Sequence, residues 1–206
     1  MKRFIDIFIS LLVLGFFSPL LLVVIFFVWI EDRKIPFYFG ERVKLNGNYF
    51  SIVKIRSMIT GADRSGLEST SLHDFRITRV GHFIRKFKID ELPQFWNVLM
   101  GDMSVIGPRP NTVSEVKKYS RDELHLLSVK PGITDFSSIV FADEGEILSH
   151  YLDADEAYTR IIRPWKSKLG LFYIQHASIS VDLAIIFLTA LNIVSRRIAL
   201  DYLSKL

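Results

Sequence analysis

Cysteine is absent from the 206 residues, which excludes a disulfide scaffold, a zinc–thiolate centre and a thiol nucleophile. Its absence fits any compartment. There is no internal repeat, no Walker A phosphate loop and no G-x-G-x-x-G fingerprint, so the familiar glycine-rich nucleotide loops are missing. The five histidines, His73, His82, His125, His150 and His176, show no metal-ligand spacing and read as structural. Charge is also scarce, at 23% of residues against 50% hydrophobic, with a mean hydropathy of +0.28. That apolar excess argues against a disordered chain and points to contact with lipid. The balance of 26 basic and 22 acidic side chains leaves +4. It permits an anionic partner without choosing among phosphate, nucleic acid and acidic lipid. The length fits one domain with an appendage.

The appendage is plain in the sequence. Between Phe4 and Ile30 the only ionised side chain is Asp6, and the run exceeds the ~20 apolar residues that cross a bilayer. It is too long for a signal-peptide core and no small-x-small cleavage site follows, so the segment is expected to be retained. Pro19, preceded by Ser18, sits mid-run and should kink or break a helix there. Lys2 and Arg3 precede the run while Arg33, Lys34, Arg42 and Lys44 follow it, and basic flanks favour the cytoplasmic face. A helix that enters, bends and returns satisfies both flanks; a Pro-kinked span, tolerated in lipid, satisfies one.

Beyond it, Phe37 to Val43 and Asn48 to Ile55 flank Asn46-Gly47, which predicts an antiparallel hairpin with a type I′ turn. Gly61 to Ser71 lacks apolar periodicity and reads as a loop and candidate lid. Basic and apolar residues then interleave from Arg76 to Lys88, either as a solvated helix face or as part of an anion site. Apolar residues at 92, 95, 96 and 99 mark a helix that Asp90 would cap, with Glu91 and Pro93 in its first turn. Such acids ordinarily complement the dipole, yet a helix start also presents free N–H groups to a bound anion. Gly101 to Pro110 reads as a short strand ending in a stiff turn that holds Arg109 between Pro108 and Pro110, which suits oriented phosphate recognition or simply a surface turn. Lys130 to Asp135 forms another turn before the β-prone Phe136 to Phe141. Helices are predicted over 143–152, 155–168 and 182–203. The apolar stripe of the last, at 183, 186, 187, 190, 191 and 194, could pack on a core or lie along a membrane surface.

Taken in order, Lys2-Arg3, Asp6, Ser18-Pro19, Lys54-Ile55-Arg56-Ser57-Met58, Arg76 to Gly81, Asp90-Glu91-Leu92-Pro93-Gln94, Asn97-Val98, Gly101 to Ser104 and Gly107-Pro108-Arg109-Pro110 closely resemble the bacterial sugar transferase family. These are the monotopic phosphoglycosyl transferases that begin glycan assembly on polyprenyl phosphate. The resemblance covers nearly the whole chain. It implies an α+β fold in which residues 1–33 form a re-entrant membrane helix broken at Ser18-Pro19. Residues 34–206 would form a small helix-rich catalytic domain with a short β-hairpin and interfacial amphipathic helices. It also implies transfer of a sugar 1-phosphate from a UDP-sugar to polyprenyl phosphate, releasing UMP, with Asp90 as nucleophile. Glu91 stands beside it, Mg²⁺ is the cofactor held by Asp90 and Glu91, and Arg85 and Arg109 contact nucleotide or phosphate. Lys54, Arg56 and Arg79 are further substrate-binding candidates. The implied place is the cytoplasmic face of a bacterial inner membrane, with membrane lipid as a partner, no nucleic acid, and a homodimer left open. A non-catalytic basic adaptor of a glycan-assembly complex is the alternative. Two positions depart from the family pattern: Lys44 and Asp135 stand where glycine is usual, and the second puts a turn and the sugar it faces in question.

Overall fold

The computed structural model describes residues 1–65, 70–71 and 74–204. Helix α1 (Lys2–Asp32) is continuous through Pro19, and at ~1.5 Å per residue it is about 46 Å long. The break expected at Ser18-Pro19 does not interrupt it. Pro19 has no N–H to give the Gly15 carbonyl one turn back, but the Ser18 hydroxyl donates to that oxygen at 2.8 Å. The stranded acceptor is thereby satisfied, which is how a proline survives inside an apolar helix.

Both ends of α1 dock on the rest of the chain. At the first, Lys2 donates to Tyr173 Oη at 2.9 Å and to Asp182 at 2.6 Å, Arg3 donates to the Leu99 carbonyl at 2.8 Å, and buried Asp6 accepts from Ser104 Oγ and the Val105 N–H, both at 2.9 Å. At the second, Val24 and Val28 pack against Ile55, Ile84 and Ile89, and Asp32 takes a bidentate pair from Arg56 at 2.5 and 2.6 Å. Between the ends Leu11, Leu12, Phe16, Leu22 and Val23 are exposed. Among the described residues α1 alone is long and apolar enough to cross a membrane.

Strands β1 (Phe37–Val43) and β2 (Tyr49–Ile55) pair antiparallel, Phe37 opposite Ile55 and Val43 opposite Tyr49. Asn46 and Gly47 both take positive φ, 61° and 77°, as a type I′ turn requires. Lys44, extended rather than glycine-like, instead pairs with Asp102 at 2.6 Å. Helix α2 (Arg79–Lys86) is capped by Thr78, whose hydroxyl accepts the Gly81 N–H. A single 3₁₀ turn, Ile89–Glu91, then precedes α3 (Gln94–Met100). Asp90 is therefore not the cap of α3; Pro93 holds that position, and the acid pair sits one turn earlier. The faces of α3 also differ from the simple pattern. Gln94, Asn97 and Val98 are buried while Trp96 and Met100 are exposed, because Asn97 bridges to β2, accepting the Val53 N–H at 2.9 Å and donating to the Ser51 carbonyl at 2.8 Å.

Strand β3 (Ser104–Ile106) follows, then α4 (Val113–Val116), and β4 (Gly132–Thr134) pairs parallel with β3. Half of the predicted turn at 130–135 is thus strand, and the β-prone segment after it is helix α5 (Phe136–Val140). Asp135 decides this: its carboxylate accepts the Ser138 N–H at 2.7 Å and both serine hydroxyls at 2.8 Å, and such a cap outweighs β propensity. Asp135 is extended (φ −158°), so its position does not call for glycine. Helix α6 (Glu144–Ser149) is followed by α7 (Ala154–Ala157), which passes through a π turn at Tyr158–Ile162 into α8 (Arg163–His176). The last predicted helix is two, α9 (Ile179–Val194) and α10 (Arg196–Leu203), separated by extended Ser195. Arg196 is drawn aside there by Asp143 and the Val140 carbonyl. On α9 the buried face is Asp182, Ile185 and Leu188, whereas Leu183, Phe187 and Val194 of the apolar stripe are exposed. Ile186 and Leu191 touch the edge of the core, but the centre of the stripe faces outward. The core joins Ile52, Val98, Met103, Val105, Ile139, Tyr173 and Leu188, each side chain contributing roughly 1.5–3 kcal/mol by burial.

Candidate active site

The acid pair is placed by what surrounds it. Helix α2 ends at Lys86, the chain reverses at Lys88 with φ 54°, and Ile89 inserts between Ile84, Ile55 and the α1 valines. With Ile89 fixed, the next two side chains face a cavity of about 810 Å³, within the range of small-molecule sites. From the other side comes the turn after β3. Its approach to β4 is so close that a Cβ on Gly132 would lie 2.1 Å from the Gly107 nitrogen. The Arg109 turn is therefore pinned to the sheet at its first residue and stiffened by two prolines.

Glu91 is clamped. Its Oε1 accepts from Lys54 Nζ at 2.9 Å and from Arg109 Nη2, and its Oε2 accepts from Arg109 Nη1 at 3.3 Å. Asp90, 8% exposed, has no hydrogen-bond partner among the described residues. Their protonation is split accordingly. Burial, with the neighbouring Glu91 charge second, pushes the Asp90 carboxyl up to about 6, against the attraction of Lys54, Arg85 and Arg109. Burial would raise Glu91 as well, but the charges and hydrogen bonds of Arg109 and Lys54 more than offset it and hold that carboxyl well below its usual range. The Glu91 charge in turn raises Arg109 further, against its burial. Adjacent carboxyls driven apart this way take different tasks: one a permanent anion, the other a basic carboxylate.

The sequence candidates separate into two groups. Asp90, Glu91, Arg85, Arg109 and Lys54 line one cavity. Arg56 and Arg79 do not line it: Arg56 binds Asp32 and the Ile35 carbonyl, and Arg79 starts α2 with its backbone N–H on Glu31. The candidate lid falls partly outside the described residues; of its described part, Thr70 and Ser71 reach the cavity wall. Arg42, Lys88, Tyr158, Arg163 and Lys166 also line the wall and were not singled out as site residues from sequence. Only Lys88 carried a signal, as the end of the basic run; the others arrive from distant segments. Among the described residues no group of three or more His, Cys, Asp or Glu side chains could hold a metal ion.

Residues 1–196 match the family model described as bacterial sugar transferase. The chain belongs to the bacterial sugar transferase family. It is 35% identical over 197 residues to the UDP-N-acetylgalactosamine-undecaprenyl-phosphate N-acetylgalactosaminephosphotransferase of Aeromonas hydrophila, covering 94% of this chain and 44% of that protein. It is 40% identical to the galactosyl transferase CpsE of Streptococcus agalactiae, covering 91% and 41%. To the UDP-glucose:undecaprenyl-phosphate glucose-1-phosphate transferase of Klebsiella pneumoniae it is 38% identical, covering 91% and 39%. The chain thus spans about two fifths of the length of these relatives. Membership bears out the resemblance carried by the motifs from Lys2 to Pro110.

Proposed function

We propose that this sugar transferase chain moves a sugar 1-phosphate from a UDP-sugar to polyprenyl phosphate through a covalent intermediate on Asp90. One observation carries the reading: an unpartnered, basic carboxylate next to a carboxylate locked by two cations, in a cavity that Arg85, Lys54 and Arg109 share with them. With a pKa of about 6, Asp90 is about nine tenths ionised at pH 7 and still more nucleophilic than an ordinary aspartate. Its oxygen would attack the phosphorus that carries the sugar and expel UMP. A terminal oxygen of polyprenyl phosphate would then attack the same phosphorus and return the electron pair to Asp90, giving polyprenyl-diphosphate-sugar. Two anions about 4 Å apart repel by roughly 4 kcal/mol at an effective dielectric of 20. Arg85 and Arg109 offset that and stabilise charge on the departing phosphate.

Asp90 and Glu91 fit Mg²⁺, which is content with one or two carboxylates and takes its other oxygens from phosphate and water. Held by Glu91 with Asp90 nearby, it would supply further neutralisation of phosphate charge, with Lys54 or Arg109 yielding part of its hold on Glu91. The relatives' names, with undecaprenyl phosphate and UDP-sugars in them, support the substrate classes.

The membrane arrangement belongs to the same reading. A helix whose two ends are both bonded to one domain enters lipid from one side; with α1 unbroken, its return would rest on a kink at Pro19 rather than a break, and it would lie re-entrant in the cytoplasmic face of a bacterial inner membrane. The exposed stripe of α9 would rest on the same surface. The acid pair is then held at head-group depth, where a soluble donor and a lipid acceptor can alternate. A non-catalytic adaptor leaves the raised Asp90 without a task. The test is UMP release across a panel of UDP-sugars with undecaprenyl phosphate and Mg²⁺, followed by mapping of the trapped phosphosugar. Label on a residue other than Asp90, or kinetics requiring both substrates bound together, would overturn it.

A further inference from the structure

Three described residues other than glycine hold a positive φ: Arg33, Asn46 and Lys88, at 57°, 61° and 54°. Left-handed backbone is unfavourable for side chains with a Cβ, and asparagine tolerates it best. Asn46 is thus in its natural place, in a hairpin turn. Arg33 recovers the cost locally, with its guanidinium 4.5 Å from the centre of the Trp29 ring, a cation–π contact. Lys88 has neither excuse. Among the described residues its ammonium makes no hydrogen bond, ion pair or ring contact. The turn itself needs only backbone there: the Lys88 N–H donates to the Arg85 carbonyl at 3.0 Å, and its carbonyl accepts the Glu91 N–H at 3.1 Å. Glycine would make the same two bonds without strain.

What the lysine adds is its position. It lies two residues before Asp90 and lines the same cavity as Asp90, Glu91, Arg85 and Arg109. A positive φ kept where glycine would serve, on the wall of a cavity, points to a task for the side chain there. We infer that Lys88 binds the diphosphate portion of the donor beside Asp90, its left-handed backbone delivering an ammonium that has no bonded partner among the described residues to an anion that the Glu91-bound Lys54 and Arg109 serve less freely. The inference deepens the proposed reaction and rests on it for the donor's identity, though not for the anion.

Lys88→Gly removes strain and charge together, Lys88→Met removes charge alone, and Lys88→Arg keeps a cation. In the full chain in detergent micelles with EDTA, inorganic pyrophosphate should raise the melting temperature of wild type and Lys88→Arg. It should do so far less for Lys88→Gly and Lys88→Met, while ligand-free Lys88→Gly melts above wild type. With a UDP-sugar, undecaprenyl phosphate and Mg²⁺, the glycine and methionine variants should raise KM for the donor about ten- to a hundredfold, the worth of one charged hydrogen bond. The arginine variant should restore most of it. A lower melting temperature for ligand-free Lys88→Gly, or a pyrophosphate response and KM equal to wild type in both uncharged variants, overturns the inference. If wild type releases no UMP from any UDP-sugar, the reaction reading fails while the pyrophosphate comparison still decides the role of Lys88.

Discussion

Replacing Asp90 with asparagine should abolish the phosphosugar adduct and, at the same time, make the protein more stable. The carboxyl is raised from 3.8 to about 6 on folding, a difference of about 2 units at ~1.36 kcal/mol each. Because the folded pKa lies above the unfolded one, the folded state binds more protons between them, and stability falls as pH rises from about 4 through 6. Above that window the buried, ionised side chain costs about 3 kcal/mol. Asparagine has the same shape and does not titrate. Asp90→Asn should therefore exceed wild type by about 3 kcal/mol at pH 7.5, a melting-temperature gain of roughly 6–12 °C for a chain of this size. At pH 4, where wild-type Asp90 is protonated when folded, the gain should shrink to well under ~1 kcal/mol. Thermal melts of detergent-solubilised protein at the two pH values read this directly. Coincident melts at pH 7.5, or a gain that persists unchanged at pH 4, would refute the idea that burial sets the basicity of Asp90.

Glu91→Gln should leave the chain folded, cut UMP release at least about a hundredfold, and move the acid limb of the rate profile below pH 6, since the Glu91 charge helps hold Asp90 up. Measured pH–rate profiles that keep the wild-type limb would count against the coupling. Arg109→Lys replaces a two-pronged grip on Glu91 with a point charge and should lower kcat/KM about tenfold or more in the same UMP assay. Asp135→Ala removes the α5 cap and should lower stability by about 1–2 kcal/mol in a denaturant melt. Ser18→Ala strands the Gly15 carbonyl and should cost about 1 kcal/mol. The same change in a Pro19→Ala background should cost little, because the substituted alanine brings back the missing N–H; equal costs in both would remove the hydroxyl from its role.

Part of the candidate site was legible because several residues that line its cavity lie close in the sequence. Asp90-Glu91, Arg85 and the Pro-Arg-Pro turn lie within a short stretch, and the hairpin announced itself through Asn46-Gly47. What sequence pattern misjudged has a common cause in tertiary partners. Asn97 turned α3 by bonding to β2, Asp135 made a helix of a β-prone run, and Arg196 broke a long apolar helix by reaching for Asp143. Periodicity assigns an apolar stripe to an interior by default, yet Trp96 near α3's start and Leu183, Phe187 and Val194 of α9 lie outside. The far wall of the cavity, Arg163 and Lys166 after a π turn, had no local signature at all.

The bond between Lys2 and Asp182 joins residues 180 positions apart. During synthesis the apolar helix therefore leaves the ribosome long before this tie can form, and its other partners at that end, Leu99, Ser104 and Val105, are made first. Of the segments that meet there, an early one thus receives its final bond from a late one, and that pair marks completion of the fold.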